Sequence, residues 1–357
     1  MKYVYLGLRS LRLSGRYLGF VDVRIENIED RWMKKVLVTG GAGYIGSHIV
    51  KALLEAGDEV VTFDNLSEGH RDAVVGGDLV QGDLSDGPLL QSLFSKYEFD
   101  AVMHFAANCR VGESVKDPEK YYKNNVCNLL NLLAVMRRHH VNRMIFSSTA
   151  AVYGNPVKVP IEELHPLQPI NPYGFTKLAV ENILRDYSRA YGLISVSLRY
   201  FNAAGADPMA QLGESHDPET HLIPRVLAVA SGRLAEVEVF GTDYPTEDGT
   251  CIRDYIHVND LALAHLAALK HLRGGGENLI VNLGNSRGYS VKEIIKCAER
   301  ITQKKIRVVH SSRREGDPPV LVCDNSQARR QLHWQPKISS LDEIIQTSWK
   351  WEQNRRY

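Results

Sequence analysis

Disulfide spacing is missing from this sequence. Its five cysteines, Cys109, Cys127, Cys251, Cys297 and Cys323, form no C-x-x-C pair, and an odd, scattered set suits reduced thiols in a cytoplasm. No apolar run approaches the about 18 residues that suggest a bilayer span, so no membrane association is expected. Charge of one sign is lacking too. Forty-three basic side chains face 42 acidic ones, a formal charge of +1, and no overall field draws the chain to nucleic acid. The 13 histidines include no H-E-x-x-H, and the doublet His139-His140 falls at an expected helix end, where solvation or the helix dipole accounts for it. No metal is expected, and no repeat or low-complexity segment is evident. Small molecules are the partners these absences leave.

What is present begins with an unusual first segment. Residues 1–32 interrupt their apolar residues with Arg9, Arg12 and Arg16, which breaks the h-region that export requires. Met33 then opens "MKKVLVTGG", which reads like a protein start, so the preceding segment is read as an extension with no assigned function.

From Lys34 the pattern is strand, glycine turn, helix, repeated. "KVLVTG", "EVVTFD", "FDAVMHFAA", "VNRMIFSST" and "ISVSLRYFN" read as strands, separated by helical stretches such as "YIGSHIVKALLEAG" and "PEKYYKNNVCNLLNLLAVMRRHH". Such alternation predicts an α/β fold with a doubly wound parallel sheet. After Asn202 a Gly/Pro/Asp-rich stretch, "AAGADPMAQLGESHDPETHLIP", marks a boundary or functional loop. "HVNDLALAHLAALKHL" and "NLIVNLG" resume the rhythm, and the remainder predicts a smaller, interleaved C-terminal domain.

"VLVTGGAGYIGSHIV" sets Gly40, Gly43 and Gly46 between a strand and a helix. Glycine permits a tight turn at the first position, approach of a pyrophosphate at the second and helix–strand packing at the third, while the helix N-terminus offers unpaired N–H groups to phosphate. Asp64 closes the second strand about 20 residues on, where a carboxylate accepts from an adenosine ribose and repels a 2′-phosphate, which selects NAD over NADP. Aspartate at a strand end is also a common turn former. Asp83, after a third strand, has the same two readings: adenine contact or turn.

In "NPYGFTK", Tyr173 and Lys177 stand four apart and share one helix face. A nearby ammonium and a positive nicotinamide would stabilise the phenolate and turn the phenol into an acid–base group; Lys177 could also hold a cofactor ribose. Ser147, Ser148 and Thr149 of "FSSTAAVYG" end a strand at the cofactor edge, where Thr149 would bond the reacting hydroxyl. Taken singly, each has an ordinary structural reading: a packed ring, a solvated lysine, a strand end. Their joint occurrence after a dinucleotide loop points to catalysis.

The T-G-x-x-G-x-x-G spacing resembles the extended short-chain dehydrogenases/reductases. "TGGAGYIGSH", "DNLS", "HFAA", "VGES", "YYKNNV", "SSTAAVYG", "NPYGFTK", "LRYFNAAG", "DYPTEDGTCIRDYIHV", "VNLG" and "RREGD" together resemble the UDP-glucose 4-epimerases, NAD-dependent nucleotide-sugar epimerases, over residues 33–357. The resemblance implies a Rossmann-type domain over 33–200, with 255–284 returning to it, and a UDP-sugar-binding domain over 201–254 and 285–357. It implies NAD contacts at Tyr44, Ile45, Asn65, Leu66, Ser67, Leu84, Phe105, Ala106, Ala107, Asn124, Tyr200 and Phe201, besides Gly40, Gly43, Gly46, Asp64, Asp83, Tyr173 and Lys177. Substrate contacts are implied at Thr149, Asn202, His221, Leu222 (the last two through backbone), Phe240 beside uracil, Arg253 and Arg314 on the diphosphate, and Asp317 on a ribose.

The implied reaction takes the proton of the sugar 4-hydroxyl to Tyr173 and a hydride from C4 to NAD, rotates the 4-keto sugar, and returns the hydride to its other face. A homodimer through the helices of "NNVCNLLNLLAVM" and "FTKLAVENILRDY" is implied as well, although those apolar faces equally suit ordinary core. Cys109 stands where some epimerases carry a phosphate-binding lysine, and Leu321 where bulk sets whether an N-acetyl group fits. A 4,6-dehydratase needs an acid and a base directly after the threonine, where this chain has Ala150 and Ala151. Epimerases of UDP-pentoses or UDP-hexuronates and a non-catalytic NAD sensor are the remaining readings.

Overall fold

The computed structural model describes residues 35–314 and 317–357; the extension read at residues 1–32 and residues 315–316 of "RREGD" lie outside them. Strands and helices alternate through β1 (Lys35–Thr39), α1 (Tyr44–Glu55), β2 (Glu59–Asp64), β3 (Asp78–Gln81), α2 (Gly87–Lys96), β4 (Phe99–His104), α3 (Val111–Lys116), α4 (Pro118–Tyr122), α5 (Asn128–Arg138), β5 (Arg143–Thr149), α6 (Pro172–Tyr191) and β6 (Ile194–Tyr200). Then follow β7 (Asn202–Ala204), α7 (Leu222–Ala230), β8 (Val237–Phe240), β9 (Ile252–His257), α8 (Val258–Arg273), β10 (Leu279–Leu283), β11 (Gly288–Ser290), α9 (Val291–Thr302), β12 (Val308–Ser311), β13 (Val320–Leu321), α10 (Ser326–Leu332) and α11 (Leu341–Gln353).

Seven strands form one parallel sheet in the order β10-β6-β5-β4-β1-β2-β3. Strand β1 shows why both faces are covered. Val36 and Val38 point into a cluster with Ile49 and Leu53 of α1 and Leu261 of α8, while Leu37 points the other way, into a cluster with Leu90 of α2, Leu132 of α5 and Val180 of α6. An apolar strand buried on both sides has no polar alternation to show, as its sequence did not. The strand order reverses beside β1, so a crevice opens between the carboxyl ends of β1 and β4.

Strands β7, β9, β11 and β13 build a second, small sheet, and β8 pairs with β12. Residues 255–257 lie in β9 of that small sheet, so the chain regains the large one only with α8 and β10. The stretch expected as one helix over 118–140 is divided: a π-helical turn at Lys123–Cys127 separates α4 from α5. The wider turn lets Asn125 face inward together with the core leucines 129, 132 and 133.

Helix α6 is delimited by local chemistry. The Asn171 side chain accepts from Gly174 N at 2.9 Å, Pro172 occupies the first turn, and Gly192 ends the helix in the left-handed region at φ 70°. Its attachment to the sheet is electrostatic as well as apolar. Glu181 of α6 takes a two-pronged contact from Arg199 of β6, Nε to Oε1 at 2.9 Å and a terminal nitrogen to Oε2 at 2.6 Å, and accepts from Ser148 of β5 at 2.6 Å. Arg199 is 2% exposed, and its remaining nitrogen donates to the Tyr153 hydroxyl and the Glu163 carbonyl. Removing one partner leaves a buried charge unpaired. Glu181→Ala should therefore destabilise the fold by about 3–5 kcal/mol in urea titration; a loss under about 1 kcal/mol would show the pair to be dispensable.

Candidate active site

The expected site residues emerge together at the carboxyl edge of the large sheet. The glycine loop follows β1, Asp64 ends β2, Asp83 follows β3, Phe105–Ala107 follow β4, Thr149 ends β5, and Tyr200 and Phe201 close β6. Each glycine of the loop has its own cause. A Cβ on Gly40 would lie 2.5 Å from Ala106 N, and one on Gly46 only 2.2 Å from the Gly40 carbonyl, so the protein's own packing demands both. A Cβ on Gly43 would meet nothing nearer than Gly40 O at 3.4 Å, and its φ of −80° suits any residue. Gly43 heads a twelve-residue helix that no side chain caps, so an approaching phosphate explains the missing side chain. These residues fit a dinucleotide pyrophosphate.

Asp64 is 8% exposed and already serves the loop, accepting from Ala42 N at 2.9 Å and Leu66 N at 2.8 Å. Burial raises its pKa, and those two bonds oppose the rise. A carboxylate retains lone pairs beyond two donors, so the turn role and a ribose contact coexist. Asp83 makes a turn to Ser85 N at 2.8 Å and accepts from Asn65 at 2.6 Å, while Ser67 N donates to the Asn65 side-chain Oδ1 at 3.0 Å. Asn128 brackets Asp83 and Asn124, and Leu84 is buried in the adjoining core. Tyr44 sends its hydroxyl to the Gly205 carbonyl at 2.6 Å, and Ile45 packs into the core behind the loop. Phe105 and Ala106 donate backbone N–H groups to the Thr39 carbonyl. Ala107 lies beside them, half-buried.

Tyr173 and Lys177 share a face of α6, with the ammonium 5.8 Å from the phenol ring centroid. Lys177 donates to the Ser147 carbonyl at 2.8 Å, leaving two further N–H donors. Burial lowers its pKa from 10.5 to about 8, against the pull of Cys109 and Glu181. The expected phenolate needs this ammonium and a positive nicotinamide together, and the protein's own groups by themselves act the other way. Burial dominates at Tyr173 and pushes its pKa up, Cys109 adds in the same direction, and the Thr149 side chain alone opposes them. Among the protein's own groups the phenol is held protonated. Thr149 Oγ1 accepts from Ala151 N at 3.1 Å, which leaves the hydroxyl proton free to be donated.

Tyr200 turns its hydroxyl inward to His265, while Phe201 and Leu321 pack with Leu178 around Ala150, Val152 and Tyr153. Asn202 donates to the Asp254 carbonyl at 3.0 Å. Arg253 and Asp317, expected to grasp different parts of a ligand, are ion-paired with each other, and the Arg314 guanidinium stacks 3.8 Å from the Phe240 ring centroid. His221 caps α7 just before Leu222, and its ring meets Glu214 at 2.7 Å.

Three features escaped sequence reasoning. Asn125 clamps residue 108 through both backbone atoms, at 2.9 and 3.0 Å, and reaches Thr176 at 3.1 Å, fixing the loop that carries Cys109 against α6. Arg110 bridges Glu68 at 2.5 Å and the Asp217 carbonyl at 2.8 Å. The Glu181–Arg199 pair had a signal, a charged residue inside the apolar run "ISVSLRYF", which burial obliges to be paired.

Residues 36–284 match the NAD dependent epimerase/dehydratase family. The UDP-glucose 4-epimerase of Halalkalibacterium halodurans is 51% identical over 316 residues, 88% of this chain and 95% of that protein. The crystal structure of UDP-glucose 4-epimerase from Brucella ovis in complex with NAD is 52% identical, with a TM-score of 0.87 over 89% of this chain and 98% of the other. That of the Bifidobacterium longum UDP-glucose 4-epimerase in complex with NAD+ and UDP is 40% identical, with a TM-score of 0.86 over 90% and 99%.

The two glycine environments give a test. Gly43→Ala should leave urea stability within about 0.5 kcal/mol of the parent while lowering the NAD content of the purified chain; Gly46→Ala should lose about 1–3 kcal/mol by overpacking. Equal stability losses for both would contradict the assignment of Gly43 to a ligand.

Proposed function

The chain belongs to the NAD dependent epimerase/dehydratase family, and from that premise we propose that it interconverts UDP-galactose and UDP-glucose by inverting C4 of the hexose, with NAD as resident cofactor. The observation that carries this reading is the meeting of Tyr173, Lys177 and Thr149 at the carboxyl edge of the sheet, beside the glycine loop. NAD, when bound, supplies the two-electron acceptor and donor at C4 and a positive charge beside the Tyr173 phenol. Gly40, Gly43, Gly46 and the α1 N-terminus would hold its pyrophosphate, and Asp64 its ribose.

The chain's own residues divide the remaining work. Thr149 donates a hydrogen bond from its free hydroxyl to the reacting oxygen, and Tyr173, as the phenolate that the cofactor's positive charge and the Lys177 ammonium would favour, would take the proton of the 4-hydroxyl and later return it. Lys177 keeps positive charge below the phenol and offers its two spare N–H groups to a cofactor ribose. Burial makes each of these contacts stronger than it would be in water. Arg253 and Arg314 neutralise the UDP diphosphate, Asp317 exchanges its Arg253 contact for a nucleotide ribose, and Phe240 flanks uracil. Asn202 and the His221-Leu222 backbone hold the far side. A firm grip on UDP and few polar groups about the hexose let the keto sugar present either face. The Leu321–Phe201 wall bounds the hexose.

A role in galactose metabolism follows from the substrate pair. The unpaired thiols suit a cytoplasmic setting. No helix among the described residues is long and apolar enough to cross a membrane. We assign a homodimer to the face where Tyr122, Leu130 and Phe175 stay exposed, since most other apolar side chains of α5 are buried in the core.

Tyr173→Phe should lower UDP-galactose turnover by about 10²–10⁴-fold with bound NAD retained; unchanged turnover would refute the mechanism. A panel of UDP-hexoses, UDP-N-acetylhexosamines, UDP-pentoses and UDP-hexuronates should show the highest kcat/KM for the UDP-glucose and UDP-galactose pair. Turnover confined to pentoses or hexuronates would reassign the substrate.

A further inference from the structure

The loop entering α7 reads Glu214-Ser215-His216-Asp217-Pro218-Glu219-Thr220-His221, and it folds back so that two imidazoles and two carboxylates converge. One ligand atom from each of Glu214, His216, Glu219 and His221 lies within 4.8 Å of every other, and this is the one such gathering among the described residues. Four of the separations bring nitrogen and carboxylate oxygen to within reach of one ion, with Glu219 turning one oxygen to each imidazole. His216 Nδ1 stands 3.4 Å from Glu214 Oε1 and 3.4 Å from Glu219 Oε2, and His221 Nδ1 stands 3.4 Å from Glu219 Oε1. Zinc with ligands at about 2.0–2.2 Å in a tetrahedron spaces its donor atoms by about 3.3–3.6 Å. Of these four distances the His221 to Glu214 contact, 2.7 Å, is shorter, and it needs to open by less than an ångström.

Charge and support agree with that count. Without a metal the two carboxylates hold both imidazoles protonated; once a metal displaces those two protons the set carries −2, which a divalent cation cancels, and Glu214 is 7% exposed. Backbone N–H groups of Thr220 and His221 hold Glu219 Oε1 at 2.7 and 2.8 Å, the kind of outer contact that orients a ligating carboxylate. His221 is half exposed and leaves a path for entry. The loop is also seated on the cofactor side of the molecule. The Asp217 carbonyl accepts from Arg110, the Ser215 carbonyl meets His70 at 3.2 Å, and the His216 ring lies edge-on to Tyr44.

We infer that Glu214, His216, Glu219 and His221 form a Zn2+ site that clasps the loop between the glycine loop and the start of α7. Nitrogen and oxygen donors in a tetrahedron suit zinc and its spectroscopic substitute Co2+. The four-ligand set leaves no open position, so the metal is structural. The inference concerns bound metal and does not depend on which sugar is turned over.

The test uses the full chain, stripped with chelator and titrated with Co2+ alone. One equivalent should produce the intense visible absorption of tetrahedral cobalt, and Zn2+ should displace it stoichiometrically. His216→Gln and Glu219→Gln should each weaken Co2+ binding by at least about tenfold, with an unchanged far-ultraviolet circular dichroism spectrum showing that both variants fold. The inference is overturned if the parent chain gives no tetrahedral spectrum, or binds Co2+ no more tightly than either variant; the four side chains then clasp the loop as ion pairs alone.

Discussion

The buried contact between Glu181 and Arg199 is the constraint on which the catalytic geometry rests. Helix α6 carries Tyr173 and Lys177, strand β5 carries Thr149, and the only covalent link between them is the 23 residues of chain that separate Thr149 from Tyr173. Glu181 engages Arg199 of β6 and Ser148 of β5 at once, so the helix has one permitted position along the sheet. A carboxylate and a guanidinium that have given up water tolerate little displacement before the desolvation cost returns. Lys177, one helical turn before Glu181, is thereby held over the β5 carbonyl of Ser147.

The same burial sets the proton chemistry. Burial lowers the Lys177 pKa to about 8 and raises that of Tyr173, because both sit in an environment that penalises charge; at neutral pH the lysine still carries its proton and the phenol keeps its own. The site is poised for added positive charge, and it lies where the α1 N-terminus and the glycine loop converge on a ligand. His104, pushed down to about 3 by burial and the nearby Lys177, stays neutral beneath them and meets Thr39 at 2.7 Å, so the floor of the crevice adds no competing cation.

The second half of the chain supplies the residues that the proposed function assigns to the UDP diphosphate, ribose and uracil. Arg253, Asp317, Phe240 and Arg314 come from β9, β8 and the segment before β13, and they stand as two mutually engaged pairs. Such pairs keep the arginines in place and their guanidinium planes oriented, at the cost of an exchange when a diphosphate arrives. The loop 214–221 meets Tyr44 at the start of α1 and Arg110 after β4, which ties the cofactor side to the start of α7.

Much of this was legible beforehand wherever the cause was local. Strand and helix order follows from apolar runs and caps, the glycine loop from the steric needs of Gly40 and Gly46, and the pairing of Tyr173 with Lys177 from helical periodicity, all of which act within a few residues. The resemblance to known epimerases extended that reading to contacts no local rule supplies. Packing alone decided the rest: the direction of the Tyr173 shift, the ion pair of Arg253 with Asp317, the clamp of Asn125 on residue 108, and the convergence of Glu214, His216, Glu219 and His221, whose spacing matches no helical metal motif because a folded loop brings them together. Desolvation and through-space distance depend on neighbours remote in sequence, so they exist only once the chain has folded.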